Sequence, residues 1–136
     1  MNEPETIQKI LKESKTIAVV GLSDKPERDS YSVAKYLKDN GYRIIPINPN
    51  ISGWMGENAY ASLKDIPSGI RIDVVDILRR SEFVFEIVDE AIRINAKAIW
   101  MQLGVVDENA ARKAEAAGLL VVMDKCMRIE HRKMKM

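Results

Sequence analysis

Short continuous apolar runs alternate along the chain with segments in which apolar residues recur every three or four positions. A continuous apolar run between turn residues is typical of a strand that is buried on both faces, whereas the wider spacing predicts an amphipathic helix. The apolar runs predict five strands, at residues 16–22, 42–48, 70–78, 98–101 and 119–123. The helical spacing predicts helices at about 5–14, at 30–40, from Ser81 onward and at 107–117, followed by a basic tail at 128–136.

The alternation of strands and helices predicts the fold class. Parallel sheets are covered by helices on both faces, and right-handed crossovers join their strands. We therefore expect an α/β fold: a Rossmann-like, doubly wound, five-stranded parallel sheet with the strand order 3-2-1-4-5, numbered along the chain. Ligands bind such sheets outside the carboxyl ends of the strands, here between the first and the fourth. Five segments should meet at that edge: the Gly21 loop, Asn48–Pro49, Ile77–Arg80, Gln102–Gly104 and Asp124–Cys126.

The composition bounds the class of protein. The chain has 136 residues, 46% of them hydrophobic and 30% charged, which fits one globular domain over residues 1–136. Its net charge of +1 gives no field that would draw it to nucleic acid or to a membrane, and no apolar run is long enough to span a bilayer. The N-terminus lacks a signal-peptide pattern, so we expect a cytoplasmic protein. The single cysteine, Cys126, excludes a disulfide framework and a multi-cysteine metal site.

The loop after the first strand carries the clearest chemistry. Its glycine, Gly21, lets the backbone approach a pyrophosphate, and the N-terminus of the next helix offers free N–H groups. The loop is neither Gly-x-Gly-x-x-Gly nor a P-loop, which removes the usual nucleotide fingerprints. Arg28 can supply a cation instead, and Ser23, Ser30 and Ser32 add hydroxyl groups. The alternative to ligand binding is that this segment is a tight turn, with Arg28 solvated and a serine as the N-cap of the next helix.

The end of the second strand argues against NAD. Folds that bind NAD usually place Asp or Glu there to hold the ribose hydroxyls. This chain has Asn48 followed by Pro49, so a ligand with a phosphate on that ribose would not be repelled. A plain Asn-Pro turn is the alternative.

Six segments together carry a resemblance to a known family. They are Gly21–Ser23, Arg28–Val33, Pro46–Pro49, Val74–Ser81, Trp100–Val105 and Val122–His131. In this order they resemble the small bacterial and archaeal proteins that bind coenzyme A (CoA). The same domain is similar to the N-terminal CoA-binding half of the succinyl-CoA synthetase alpha subunit. The resemblance covers about residues 6–132.

The resemblance implies CoA or an acyl-CoA as the ligand and assigns it a set of binding residues. In chain order these are Gly21, Leu22, Ser23, Arg28, Ser30, Asn48, Pro49, Ile77, Arg79, Arg80, Gln102 and Gly104. Gly21, Leu22 and Ser23 would contact the pyrophosphate. Arg28 and Ser30 would neutralise phosphate. Asn48 and Pro49 would line the adenosine pocket. Ile77, Arg79 and Arg80 would flank the adenine and its phosphate. Gln102 and Gly104 would border the pantetheine arm. The alternative for Arg79 and Arg80 is that they are solvated residues before a helix cap.

Cys126 follows the fifth strand on the edge where the crevice is expected. A thiol there would be a partner for the CoA thiol in a reversible mixed disulfide. The alternative is a small buried hydrophobic residue, the usual state of a free cysteine.

These observations predict a domain that binds CoA or an acyl-CoA without catalysis of its own, as a carrier, a sensor or a regulatory component. One alternative is a detached subunit of an acyl-CoA synthetase, and another is an NAD(H)-binding redox regulator. Succinyl-CoA synthetase needs a second domain with a phosphorylated histidine, whereas the one histidine here, His131, falls in the basic tail and is interpreted as a surface residue. A protein partner or a homo-oligomer stays open.

Overall fold

A computed structural model describes residues Met1 to Met136. The helices are α1 (Pro4–Glu13), α2 (Asp29–Asp39), α3 (Val84–Arg93), α4 (Glu108–Ala116) and α5 (Met127–Lys135). The strands are β1 (Thr16–Val20), β2 (Arg43–Ile47), β3 (Gly53–Trp54), β4 (Glu57–Asn58), β5 (Val74–Ile77), β6 (Ala98–Met101) and β7 (Leu120–Met123). Two short 3-10 turns cover Leu63–Asp65 and Ser81–Phe83.

The five long strands form one parallel sheet in the order β2-β1-β5-β6-β7. Four of them, β1, β2, β5 and β6, are buried at every position or at every position but the first, which explains why the sequence shows continuous apolar runs and no alternation. The Rossmann-like α/β fold with a doubly wound parallel sheet is therefore confirmed. The β3–β4 hairpin lies outside this sheet and was not predicted.

The predicted strand order is wrong at one position. The third long strand, β5, pairs with β1 instead of adding outside β2, so the order is 2-1-3-4-5 in the numbering of the prediction. Pro46 supplies the physical reason, because a proline cannot donate to a ladder and is tolerated mainly on an edge strand. Beyond β2 lies only a single bridge between Ile47 and Tyr60. The switch point therefore falls between β1 and β5.

Helices cover both faces of the sheet. On one face α3 and α4 bury Val88 and Ala111 in a core with Ile77. On the other face α1, α2 and α5 enclose a second core built around Trp100 and Leu37. None of the helices is long and apolar enough to cross a membrane.

The residues predicted as a basic tail, 128–136, belong to helix α5. The helix packs on α1 and α2 and buries Met127 and His131. His131 is 6% exposed, its Nδ1 lies 2.8 Å from the hydroxyl oxygen of Tyr36, and the rings of Tyr36 and Tyr42 meet it edge-on. Burial, with a smaller contribution from Lys135, lowers the pKa of His131. The interpretation of this histidine as a surface residue is therefore wrong.

Candidate ligand-binding site

The five predicted segments do meet at the carboxyl edge of the sheet, because all five strands are parallel. After β1 the chain enters α2 on one face, and after β5 it enters α3 on the opposite face. This divergence opens two adjoining clefts that share Asp29 and Leu78. The cleft on the β2 side has a volume of about 520 Å³ and the cleft on the β6 side about 450 Å³.

Gly21 lies where three loops meet. Its N–H donates to the Ile47 carbonyl at 2.9 Å, and its φ of +93° lies in the region that favours glycine. A Cβ at this position would lie 2.5 Å from the Leu78 carbonyl oxygen and 3.0 Å from Cδ of Arg79. The absence of a side chain therefore lets the first loop pass directly against the loop that follows β5.

Helix α2 begins at the wall of the β2-side cleft. The first N–H groups of any α-helix have no acceptor within the helix. No side chain caps the N-terminus of α2, so these N–H groups have no capping acceptor either. Ser30 instead accepts a hydrogen bond from the Ser23 N–H at 3.0 Å, and the Ser23 hydroxyl accepts one from the Lys25 N–H at 3.1 Å. Arg28 is exposed and lines the same cleft without a salt bridge. The arrangement suits an anion at the helix N-terminus.

Asn48 ties the end of β2 to the Gly21 loop. Its amide nitrogen donates to the Leu22 carbonyl at 3.0 Å, and its amide oxygen accepts from the Asn50 N–H at 2.9 Å. Both of its polar atoms are therefore engaged, although the residue still lines the β2-side cleft. Pro49, next along the chain, is exposed and outside both cleft linings.

Two of the predicted binding residues turn their side chains away from the clefts. Leu22 and Ile77 are fully buried in the two cores. Leu22 presents only its backbone to the site, and Leu78, one residue beyond Ile77, lines both clefts instead. An unbroken apolar run does not show which of two successive residues faces the ligand.

Arg79 and Arg80 line the β6-side cleft. Their guanidinium carbons lie 4.4 and 5.7 Å from the ring centroid of Phe83, which stacks against both. Arg80 also lies 3.4 Å from Glu82, whereas Arg79 has no carboxylate partner. The stacking keeps both cations next to the cleft.

The opposite side of this cleft comes from the loops after β6 and β7. Gln102 accepts a hydrogen bond from the Met127 N–H at 2.9 Å, which fixes the start of α5. The Gly104 N–H donates to Asp124 at 2.7 Å. Cys126, which is 6% exposed and immediately precedes α5, lines the same cleft.

Several residues that line the clefts were not among the predicted binding residues, although two of them, Leu78 and Leu103, lie in segments that were expected at this edge. The residues are Glu27, Asp29, Val33, Leu78, Leu103, Val105, Arg128 and Ile129. Arg128 and Ile129 were assigned to the tail, because the four cations of residues 128–135 obscure the apolar stripe of α5. That stripe, Met127, His131 and Met134, has helical spacing and was the available signal.

One buried carboxyl lies beneath the site. Asp76, next to Val19 and Trp100 in the sheet register, is fully buried, and neither of its oxygens has a hydrogen-bond partner. Burial raises the pKa of Asp76 well above its ordinary value. Leu78, two residues further along the chain, lines both clefts.

The family comparison agrees with this geometry. Residues 15–132 match the model of a family described as a CoA binding domain. The chain belongs to this family. The match covers all five long strands and every segment that lines the two clefts.

Three known proteins show how similar the chain is to others in sequence and structure. It is 43% identical over 125 residues to the uncharacterized protein YneT of Bacillus subtilis, covering 92% of this chain and 91% of that protein. A hypothetical protein from Pyrococcus horikoshii OT3 superposes with a TM-score of 0.92 at 40% identity, covering 98% and 93% of the two chains. The alpha subunit of the ADP-forming acetate–CoA ligase II of Pyrococcus furiosus is 32% identical over 65 residues, which are 47% of this chain but only 14% of the ligase subunit.

Proposed function

We propose that the protein binds CoA or an acyl-CoA in the two clefts, without catalysis of its own, and acts as a carrier, a sensor or a regulatory component. The observation that carries the proposal is the meeting of Gly21, the uncapped start of α2 and the Arg79 loop at one switch point. CoA is a ligand with three phosphate groups, and Arg28 and Arg79 both face the clefts without a carboxylate partner.

The pyrophosphate fits the junction of the two clefts. A helix N-terminus binds phosphate through its free N–H groups and its dipole, and the bare backbone at Gly21 permits close approach. Ser23 and Ser30 hold each other across the loop, so the N–H groups around them are already positioned. The site is in this sense preorganised for an anion.

The adenosine end fits the β2-side cleft, and the pantetheine arm fits the β6-side cleft. The β2 end carries Asn48, whose amide is engaged, and no acid that would hold two ribose hydroxyls as in NAD sites. Arg28 in that cleft suits a ribose phosphate. On the other side, Gln102, Gly104 and Cys126 would border the arm and its thiol.

Calorimetric titration of the purified protein with CoA, dephospho-CoA and NADH tests the proposal. We expect CoA to bind tightest, because it alone carries the ribose phosphate that Arg28 would meet. Denaturing the purified protein, filtering it and analysing the filtrate by mass and adenine absorbance shows whether CoA copurifies. NADH binding more tightly than CoA would overturn the proposal in favour of a redox regulator.

A further inference from the structure

Arg128 on the first turn of α5 faces the β6-side cleft. One of its terminal nitrogens, Nη1, donates to the hydroxyl of Ser32 at 2.5 Å. Its Nε is buried and has no hydrogen-bond partner. No carboxylate lies within salt-bridge distance of the guanidinium.

A guanidinium in this state favours an incoming anion. Removing a cation from water is costly when no opposite charge compensates it, and Arg128 is partly removed from water with one N–H unsatisfied. The bond to Ser32 restricts the side chain before any ligand arrives, so less conformational entropy is lost on binding. The remaining terminal nitrogen is free to donate.

The position of Ser32 locates the guanidinium. Ser32 lies in the first turn of α2, where its N–H donates to the Arg28 carbonyl, and Asp29 and Val33 of the same turns line the cleft with Arg128. The cation of α5 therefore lies beside the N-terminal turn of α2, the place where a pyrophosphate fits. Arg28 lies instead in the β2-side cleft with Asn48.

We propose that Arg128 binds the pyrophosphate of the ligand from the α5 side and is positioned for this by Ser32. The proposal rests on CoA as the ligand, because it assigns one more contact to the same molecule. It divides the phosphates between two arginines: Arg128 for the pyrophosphate and Arg28 for the ribose phosphate. The start of α5 becomes a third wall of the phosphate site, in addition to Gly21 and the N-terminal turn of α2.

Titration of Arg128→Gln with CoA and with dephospho-CoA tests the assignment. A hydrogen bond to a charged group contributes about 1.5–3 kcal/mol, so we expect both affinities to fall by the same factor, about 10-fold to 150-fold. Arg132→Gln is the matched control, because this arginine lies one turn further along α5, stacks on Tyr36 and lines neither cleft. We expect the control to bind both ligands as the unmodified protein does.

The outcomes separate the two proposals. If the unmodified protein fails to bind CoA, the proposed function fails. If the unmodified protein binds CoA, and Arg128→Gln binds CoA and dephospho-CoA as tightly as the unmodified protein does, only the role of Arg128 is overturned. A loss confined to CoA would move Arg128 to the ribose phosphate and also overturn the assignment. Ser32→Ala removes the hydrogen bond that anchors Arg128 and keeps the charge of the guanidinium. It should lower the affinities for CoA and dephospho-CoA by a smaller common factor. This variant keeps the proposal testable if Arg128→Gln does not fold.

Discussion

Replacement of Gly21 by alanine tests the packing of the site most directly. Gly21 and Gly118 have nearly the same φ, +93° and +91°. A Cβ at Gly21 would meet the Leu78 carbonyl oxygen at 2.5 Å, whereas a Cβ at Gly118 would meet nothing within 4 Å. Gly118 precedes β7, at the edge of the sheet opposite the clefts. Gly118→Ala is therefore a matched control for Gly21→Ala.

The two variants should differ by the cost of the contact with Leu78. A left-handed backbone conformation costs an alanine about 1–2 kcal/mol, and this applies to both positions. At Gly21 the Leu78 carbonyl must also retreat from 2.5 Å to ordinary contact beyond 3.4 Å. Forcing extra volume into a packed region costs about 1–3 kcal/mol. We expect the free energy of unfolding to fall by about 2–5 kcal/mol for Gly21→Ala and by about 1–2 kcal/mol for Gly118→Ala.

Urea denaturation followed by circular dichroism measures both losses, and calorimetry measures CoA affinity. Gly118→Ala should bind CoA normally, because its cost is remote from the clefts. Gly21→Ala should bind CoA more weakly even where it is fully folded, since Leu78 and Arg79 must move. Equal losses of stability in the two variants would refute the contact argument. Normal CoA binding by a destabilised Gly21→Ala would refute the role of Gly21 in the site.

Three further predictions concern single side chains. Because burial raises the pKa of Asp76, the folded protein holds a proton that the unfolded chain releases above about pH 3.8. The contribution of Asp76 to stability should therefore fall as pH rises above that value, by up to about 1.4 kcal/mol per pH unit, and urea titrations at several pH values should show this slope missing from Asp76→Asn relative to the unmodified protein. Arg28→Ala should weaken CoA binding more than dephospho-CoA binding, and an equal loss would place Arg28 at the pyrophosphate. The Cys126 thiolate should attack CoA disulfide, form a mixed disulfide and release one CoA thiolate; intact mass without reductant detects the adduct, and the same adduct on Cys126→Ser would contradict the prediction.

Much of the fold was predictable because strands buried on both faces leave continuous apolar runs. The five strands, the helices on both faces and the clustering of polar loops at one edge all follow from that pattern. Pro46 also carried information on strand order, since it indicates an edge strand in a sheet where the predicted order made β2 internal. The same continuity that identifies the strands conceals which residues face the ligand, as Ile77 and Leu78 show.

Helix α5 was not predictable from charge density. Its Met127 and His131 pack inward and Arg128 between them is half-buried, whereas Arg132, Lys133 and Lys135 are exposed. The charges of this short basic segment do not show that it packs on α2. The hydrogen bond between Arg128 and Ser32 joins residues 96 positions apart in the chain. Only the tertiary structure brings those two side chains together.

The corrected strand order accounts for the glycine in the first loop. Neighbouring strands lie about 4.8 Å apart, so with β2 between them the loops after β1 and β5 would be separated by about twice that distance. In that arrangement a side chain at position 21 would have room, and Arg79 would lie beyond the adenosine end. With β5 beside β1, the Leu78 carbonyl occupies the space of a Cβ, and the Arg79 side chain reaches the junction of the two clefts. The need for glycine at position 21 and the position of Arg79 therefore depend on the same strand pairing, which makes Gly21→Ala a test of the contact between the two loops.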